Sequence, residues 1–314
     1  MAKEADKNPG VHHGTPYDDV FRTLTNDCSP LLIPLINEVF GERFTGNEEI
    51  VFSPNIHYLN RQDGGEEKRV TDSSFSIIGA ETKKYLLECQ STSDNSMLVR
   101  IFEYSTQIAL DEGRIIGNTL EVEIPNCAVL YLRSTKNTPD NLHIRIRFQG
   151  KAFTYEIPAI KMQKYSLDEL LQKNLLFLLP FYIFTYDSRL KEYNTNEKKL
   201  NALKAEFRVI VKHLDHLEYL GQLSAYFKKT LIEMSEKVVN NLAANYGAIK
   251  EGVKAVMGGQ ILEYEAKTIL RQGQMETLVQ NVQALMETMN WTAEQALDKL
   301  KVPKEKREAV YAKL

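Results

Sequence analysis

Cysteine is scarce in this sequence: three residues in 314, at Cys28, Cys89 and Cys127, far apart and without a Cys-x-x-Cys pair. That spacing excludes a zinc ribbon and a disulfide framework, and it fits a reducing compartment. Long hydrophobic runs are also missing. The longest, Leu175 to Phe184, covers about half a membrane span and is interrupted by Pro180. The first ten residues, MAKEADKNPG, hold no apolar signal core. The expectation is a cytoplasmic protein with no membrane attachment. Neither proline (10) nor glycine (16) is in excess, which argues against a low-complexity chain. A dominant charge of one sign is absent too: 39 basic residues face 42 acidic ones, for a net −3, which does not suit a surface that grips nucleic acid all round.

What is present is the composition of a folded protein, 43% hydrophobic and 26% charged, enough for a substantial core. Charge is unevenly distributed. From Arg133 to Lys164 seven basic residues (Arg133, Lys136, Arg145, Arg147, Lys151, Lys161, Lys164) meet two acids, Asp140 and Glu156, so this stretch carries +5. It reads either as a local phosphate-binding stripe or as a solvated face.

Residues 1–14 read as a flexible leader. Thr15-Pro16, with Asp18 three residues after the cap, opens a helix, and Ser29-Pro30 opens a second that ends at Gly41. Glu49–Leu59, Arg69–Ile78 and Tyr85–Gln90 are strand-like, rich in β-branched and aromatic residues and separated by polar turns. Ser96 to Asp111 switches to helical spacing, with Met97, Leu98, Ile101, Phe102, Ser105, Ile108 and Ala109 on one stripe. Asn126–Ser134 reads as a strand buried on both faces. His143–Phe148 alternates, with Ile144, Ile146 and Phe148 opposite Arg145 and Arg147. Ser166 to Glu169 is a capping box for a helix through about Tyr186, and the remainder reads as helical. A break is expected at Met257-Gly258-Gly259, with a helix to about Met289 and two short tail helices, one capped by Thr292 and one starting at Pro303. A strand–helix–strand crossover in an otherwise antiparallel set predicts a mixed α/β core.

The chemistry-bearing residues lie between 68 and 104. Asp72 falls in the strand-like KRVTDSSFSI, and Glu88, Cys89 and Gln90 fall in KYLLECQS. Residues i and i+2 of a strand share a face, so Glu88 and Gln90 point one way and Cys89 inward, and Asp72 can join them if its strand is a neighbour. Two converging carboxylates with open positions for water and phosphate suit Mg²⁺. The same acids also fit solvent-facing strand positions. His213 and His216, at i and i+3 of a helix, lack a third ligand and read as surface.

The strings YDDVFRTL, TDSSFSI and ECQSTSDNSMLVRIFEYSTQIAL, with MGGQILEYEAKTI further on, resemble the PD-(D/E)XK nucleases. More narrowly they resemble the Rpn group, the recombination-promoting nucleases also labelled PD-(D/E)XK nuclease family transposases. The likeness covers roughly residues 15–190 and, loosely, the tail. It implies a restriction-endonuclease-like core at 15–190, with a mixed β-sheet flanked by helices, and an all-helical accessory region at 191–314. It implies an endonuclease that hydrolyses DNA phosphodiesters with Mg²⁺ or Mn²⁺ and little sequence preference, linked to recombination or mobile elements. Asp72 and Glu88 would be metal ligands, with the Cys89 backbone carbonyl as another. Gln90 stands where the wider superfamily has Lys, so it can orient the attacking water without lending it a positive charge. Asp18 or Asp19 would sit at an acidic position of the first helix. Arg100 and Tyr104 would face the site. Apart from the resemblance, if the +5 stretch is a phosphate-binding stripe and not a solvated face, Arg133, Lys136, Arg145 and Arg147 would meet DNA. The Gln for Lys exchange and the acidic net charge leave open a nuclease fold that binds DNA or protein without cutting. Leu/Met stripes with mixed charge leave open self-association through the helical C-terminal region.

Overall fold

A computed structural model describes residues 15–53, 56–60, 66–70, 73–91, 96–289, 291–300, 302, 307 and 310–311. The expected leader at 1–14 and the start of the Pro303 helix lie outside these residues. Helix α1 (Pro16–Asp27) opens on the expected Thr15 cap, which Asp18 completes into a capping box: the Thr15 hydroxyl accepts from the Asp18 amide, and the Asp18 carboxylate accepts from the Thr15 amide at 2.6 Å. A 3-10 turn at Ser29–Leu31 leads into α2 (Leu32–Phe40), closed by Gly41 with φ 68°, a left-handed cap that glycine adopts without a Cβ clash.

The strands follow as β1 (Glu49–Phe52), β2 (Ile56–Asn60), β3 (Glu66–Val70), β4 (Ser73–Ile78) and β5 (Thr82–Gln90). The segment expected as one strand over Arg69–Ile78 is therefore divided. Its first residues belong to β3, which among the described residues pairs with β2 alone, and its last to β4. Helix α3 (Met97–Asp111) comes next, then β6 (Arg114–Ile116), β7 (Thr119–Glu121), β8 (Asn126–Tyr131), β9 (Asn141–Phe148) and β10 (Lys151–Lys161). The β6–β7 hairpin and β10 are additions to the expected order. Among the described residues one sheet runs β1-β4-β5-β8-β10-β9. Its β5–β8 and β8–β10 pairings are parallel and the rest antiparallel, giving the mixed α/β core the crossover predicts.

Register decides which side chains share a face. Leu86, Glu88 and Gln90 stand beside Cys127, Val129 and Tyr131. That face is covered by α3, whose Met97, Ile101, Tyr104 and Ile108 form one core cluster with Leu86, Cys127, Val129, Tyr131 and Ile157. Phe102, expected on this buried stripe, is 39% exposed instead. The opposite face carries Tyr85, against which Phe40 of α2 and Phe75 of β4 pack at 5.2 and 5.7 Å between ring centroids.

Beyond the sheet, α4 (Leu167–Gln172) has the expected capping box at Ser166 and Glu169. The helix expected to continue to Tyr186 stops there. Asn174 takes a left-handed φ of 54°, and Leu176–Arg189 coils in tight 3-10 turns around Pro180. Proline cannot continue an α-helical hydrogen-bond ladder, and a run so apolar is stabilised by burial instead. Phe177 and Phe184 of this segment meet Phe21 and Tyr17 of α1 edge-on. Helices α5 (Leu190–Thr195), α6 (Glu197–Tyr219) and α7 (Ala225–Leu242) follow, and α7 packs on α1 and on the 3-10 segment. Residues up to Met257 thus form one compact unit around the sheet, and residues from Gly258 onward form a second. The expected break at Met257-Gly258-Gly259 does not occur: α8 runs unbroken from Gly247 to Met289. Two glycines weaken a helix by about 1 kcal/mol each relative to alanine, which long helix-forming flanks can absorb. The second unit has its own small core, Val279, Val282, Ala296, Leu297, Val302 and Val310, and contains α9 (Ala293–Lys299) with the predicted Thr292 cap, which Gln295 completes into a capping box.

Candidate functional site

Glu88 lies near the end of β5, a strand bounded by β4 and β8 and buried from Tyr85 to Gln90. Such a strand is buried on both faces, and Glu88 is carried in with it to 2% exposure. A carboxylate at that depth is not the solvent-facing strand acid that its sequence position also fits. It needs cationic or hydrogen-bonding company, because stripping water from an ionised group costs several kcal/mol. Gln90 shares its face and is 9% exposed. The expectation that one face is open and the other inward does not hold here: Cys89, on the opposite face, is equally buried at 3%. Helix α3 is the reason, since it covers the face that Glu88 and Gln90 occupy.

Arg100, in the first turns of α3, reaches down to this face. Its Nη2 donates to Gln90 Oε1 at 2.9 Å and approaches Met97 Sδ at 3.6 Å. Its Nε is buried without an acceptor among the described residues. A buried guanidinium N–H left unanswered costs about 1–3 kcal/mol, so the position suits an anionic oxygen supplied from elsewhere. Gln90 is oriented by the Arg100 bond: its carbonyl oxygen faces the guanidinium, and its NH₂ is the donating side. Tyr131, cross-strand partner of Gln90, and Cys127 complete the face. Burial, and next the negative charge of Glu88, push the Cys127 thiol up to about 12, so it stays protonated at neutral pH. By sequence alone both residues read only as parts of a buried strand. The signal for their role was the parallel register, which no local pattern contains.

Asp72 lies outside the described residues. Strand β4 begins at Ser73, whose partner is Leu87, the residue before Glu88. Tyr104 is 6% exposed and belongs to the core cluster under α3. Asp18 is engaged as the capping carboxylate of α1, and the exposed Asp19 faces Lys237 of α7 at 3.6 Å. Arg133 is tied by Nε to Asp187 at 2.5 Å and lies over the Phe184 ring at 5.1 Å. Lys136 is exposed. Arg145 and Arg147 are also exposed but stand at the other end of the sheet. Ala159 is level with Val129 and hence with Glu88, whereas Thr154 and Ala152, the partners of the two arginines, precede it by five and seven residues. At ~3.3 Å per residue, that places them about 17 and 23 Å along the strand from Glu88. Of the +5 stretch, Lys161 and Lys164 are held by Asp140. His213 and His216 lie on α6, and burial and then His216 lower the pKa of His213.

The metal-donor set that the resemblance implies can be tested against this face. Glu88 offers hard carboxylate oxygens. The Gln90 carbonyl accepts from the amide of Leu132, the residue just after β8, at 2.9 Å, and alternate residues of a parallel strand bond the same neighbour, so the Cys89 carbonyl turns to the β4 side. The Cys89 thiol lies on the opposite face, and Cys127 holds its proton. The donors are thus oxygens, which fits Mg²⁺ or Mn²⁺ better than a thiolate-preferring ion. Among the described residues no three His, Cys, Asp or Glu side chains gather as a metal cluster, and Glu88 is the one implied side-chain ligand within them. No family model, curated protein or solved structure matches the chain. No helix of the described residues is long and apolar enough to cross a membrane.

Proposed function

We propose that the chain is a Mg²⁺- or Mn²⁺-dependent endodeoxyribonuclease with a restriction-endonuclease-like core. The observation that carries this reading is the trio at the carboxyl end of β5, the buried Glu88 and Gln90 with the half-buried Arg100 of α3 bonded to Gln90, a carboxylate, an amide and a guanidinium on one face. Glu88 and the Cys89 carbonyl would hold the ion together with Asp72. The ion, when bound, supplies a Lewis acid for a phosphoryl oxygen and acidifies a bound water.

The chain's own residues set the rest of the chemistry. Gln90 presents N–H donors, so it positions a water or phosphoryl oxygen through that oxygen's lone pairs and takes no proton from it. Arg100 holds Gln90 in place through Nη2, while its Nε–H suits a phosphate oxygen. Burial of the face removes competing water and strengthens each of these contacts.

The test is nicking of supercoiled plasmid with Mg²⁺ or Mn²⁺. Glu88→Gln keeps the side-chain shape and removes the charge. It is expected to lower the rate at least about 100-fold while the circular dichroism spectrum is retained, and Asp72→Ala should do the same. Cleavage undiminished in Glu88→Gln ends this reading. A second reading, a nuclease fold that binds DNA without cutting it, draws on the placement of Arg145 and Arg147 far from Glu88. Salt-sensitive DNA binding with no cleavage in either metal would favour it.

A further inference from the structure

The register of the parallel strands brings one more cation to the Glu88 face. Val129 and Tyr131 of β8 pair with Ala159 and Lys161 of β10, so Gln90, Tyr131 and Lys161 form one row across three strands. Ile157 and Ala159 pack with the cluster under α3, and Lys161, next in that alternation, falls on the same face. Two strand spacings of ~4.8 Å put it about 10 Å from Gln90. Its side chain is only 6% exposed, and its ammonium donates to the Thr138 carbonyl and, at 2.9 Å, to Asp140 Oδ1. Lys164, whose side chain is 59% exposed, bonds the same oxygen. Two ammonium groups thus share one carboxylate oxygen, which leaves one positive charge unanswered within the trio.

The loops that carry this trio are tied together. Gln163 donates to the Leu132 carbonyl at 2.7 Å and accepts from the Ser134 hydroxyl at 2.7 Å, joining the segment after β8 to the turn after β10. The Thr138 hydroxyl accepts from the Thr135 amide at 2.9 Å, which closes a turn around the exposed Lys136. Residues 133–140 and 159–164 hold Lys136, Lys161 and Lys164 with Asp140 as their one acid. The far end of the sheet is mixed instead: Arg145 and Arg147 lie there, but so do Glu112 and Glu123, which meet Lys84 near the start of β5. An anion is therefore drawn more strongly to the carboxyl ends of β8 and β10. Within the trio Asp140 is the most exposed side chain, at 69%, and its loop position lets it move away at least cost.

We propose that Asp140 occupies the place of a DNA backbone phosphate, and that Lys161, Lys164 and Lys136 hold the strand that leads to Glu88. The choice of DNA as the ligand rests on the nuclease reading. A diester phosphate has two free oxygens, one for each ammonium, where the carboxylate serves both through one oxygen. The exchange keeps both charge-assisted hydrogen bonds and relieves their crowding. Lys161 is fixed to the sheet and so sets the register of the contact. At ~3.4 Å of axial rise per nucleotide, the about 10 Å between Gln90 and Lys161 corresponds to roughly three nucleotides.

The test is binding of a short labelled DNA duplex of arbitrary sequence by the full chain, read by fluorescence anisotropy in EDTA over a range of salt. Lys136→Ala with Lys164→Ala, both at exposed positions, should weaken binding about tenfold and reduce the salt slope by about two. Asp140→Asn frees both ammonium groups and should tighten binding about threefold or more, the opposite of what a damaged fold would do. Glu123→Gln removes the same charge at the other end of the sheet and should change affinity less than about twofold, as should Arg145→Ala with Arg147→Ala. Unchanged or weaker binding by Asp140→Asn overturns the proposal. So does a lysine variant that binds like wild type, a Glu123→Gln protein that gains as much as Asp140→Asn, or loss of binding in the Arg145 and Arg147 variant. Because binding is read without metal, the two readings fail separately. Plasmid nicking with none of these shifts defeats only the placement of the strand, and the shifts without nicking in Mg²⁺ or Mn²⁺ defeat only the nuclease.

Discussion

Acids and bases that the sequence presents as equivalent have different work in the folded chain. Asp18 closes a helix cap, Asp19 faces a neighbouring helix, Arg133 is neutralised by Asp187, and only Arg100 of the expected supporting charges is seen bonding a residue of the Glu88 face. Asp140, by sequence only an acid opposing the basic stretch, holds the ammonium of Lys161, which is 6% exposed, at 2.9 Å. Hydrogen bonds from Lys164 and then Lys161 lower the Asp140 carboxyl from 3.8 to about 2. A carboxyl depressed by folding contributes stability that is complete above its unfolded value and is lost as pH falls through its folded value. Asp140→Asn should therefore lower the melting temperature at pH 7. The gap between wild type and variant should close as pH falls from about 4 towards 2. A gap that persists unchanged at pH 2 would show that the carboxylate charge is not what holds Lys161.

Helix starts were the most readable elements, because a cap is a local bargain between one side chain and one amide. The caps at Thr15, Ser166 and Thr292 are present as the sequence predicts. Ser166→Ala removes the acceptor for the Glu169 amide and should cost about 1 kcal/mol in urea unfolding. No measurable change would mean that the buried Leu167 and Leu170 fix α4 without its cap. Strand β10 was harder to see. Glu156 and Pro158 interrupt AFTYEIPAIK, and proline argues against a central strand. Pro158 is tolerated because Ala159 donates to Asp140 on the β9 side and the ladder to β8 starts only at Ala159. The missing N–H thus falls before the strand acquires its second neighbour. The glycines of α8 mislead in the opposite direction: their propensity predicts a stop, and the length of the helix overrides it.

At the scale of the molecule, residues 191–257 belong to the sheet-bearing unit because the apolar run around Pro180 needs covering on several sides. Phe177, Phe181 and Phe184 are almost wholly buried, and α7 packs on their segment. Phe181→Ala should destabilise that unit by about 3–5 kcal/mol, the cost of a large internal void. Such a loss is a sizeable part of the roughly 5–15 kcal/mol that holds an ordinary domain folded. Calorimetry would read it as a drop in the main transition, and a change below about 1 kcal/mol would show that the site collapses around the smaller side chain.

Caps, strand alternation at β9, the α3 stripe and the mixed sheet were determined by the sequence itself, since each follows from spacing within a few residues. So was the shared face of Glu88 and Gln90, a consequence of two-residue periodicity. Only the tertiary structure decided that this face is buried, that Arg100 bonds Gln90 on it, and that Arg145 and Arg147 stand at the far end of the sheet. Burial and proximity across the fold depend on register between strands distant in the chain. Register is set by the sum of all side-chain packing, which no single segment encodes.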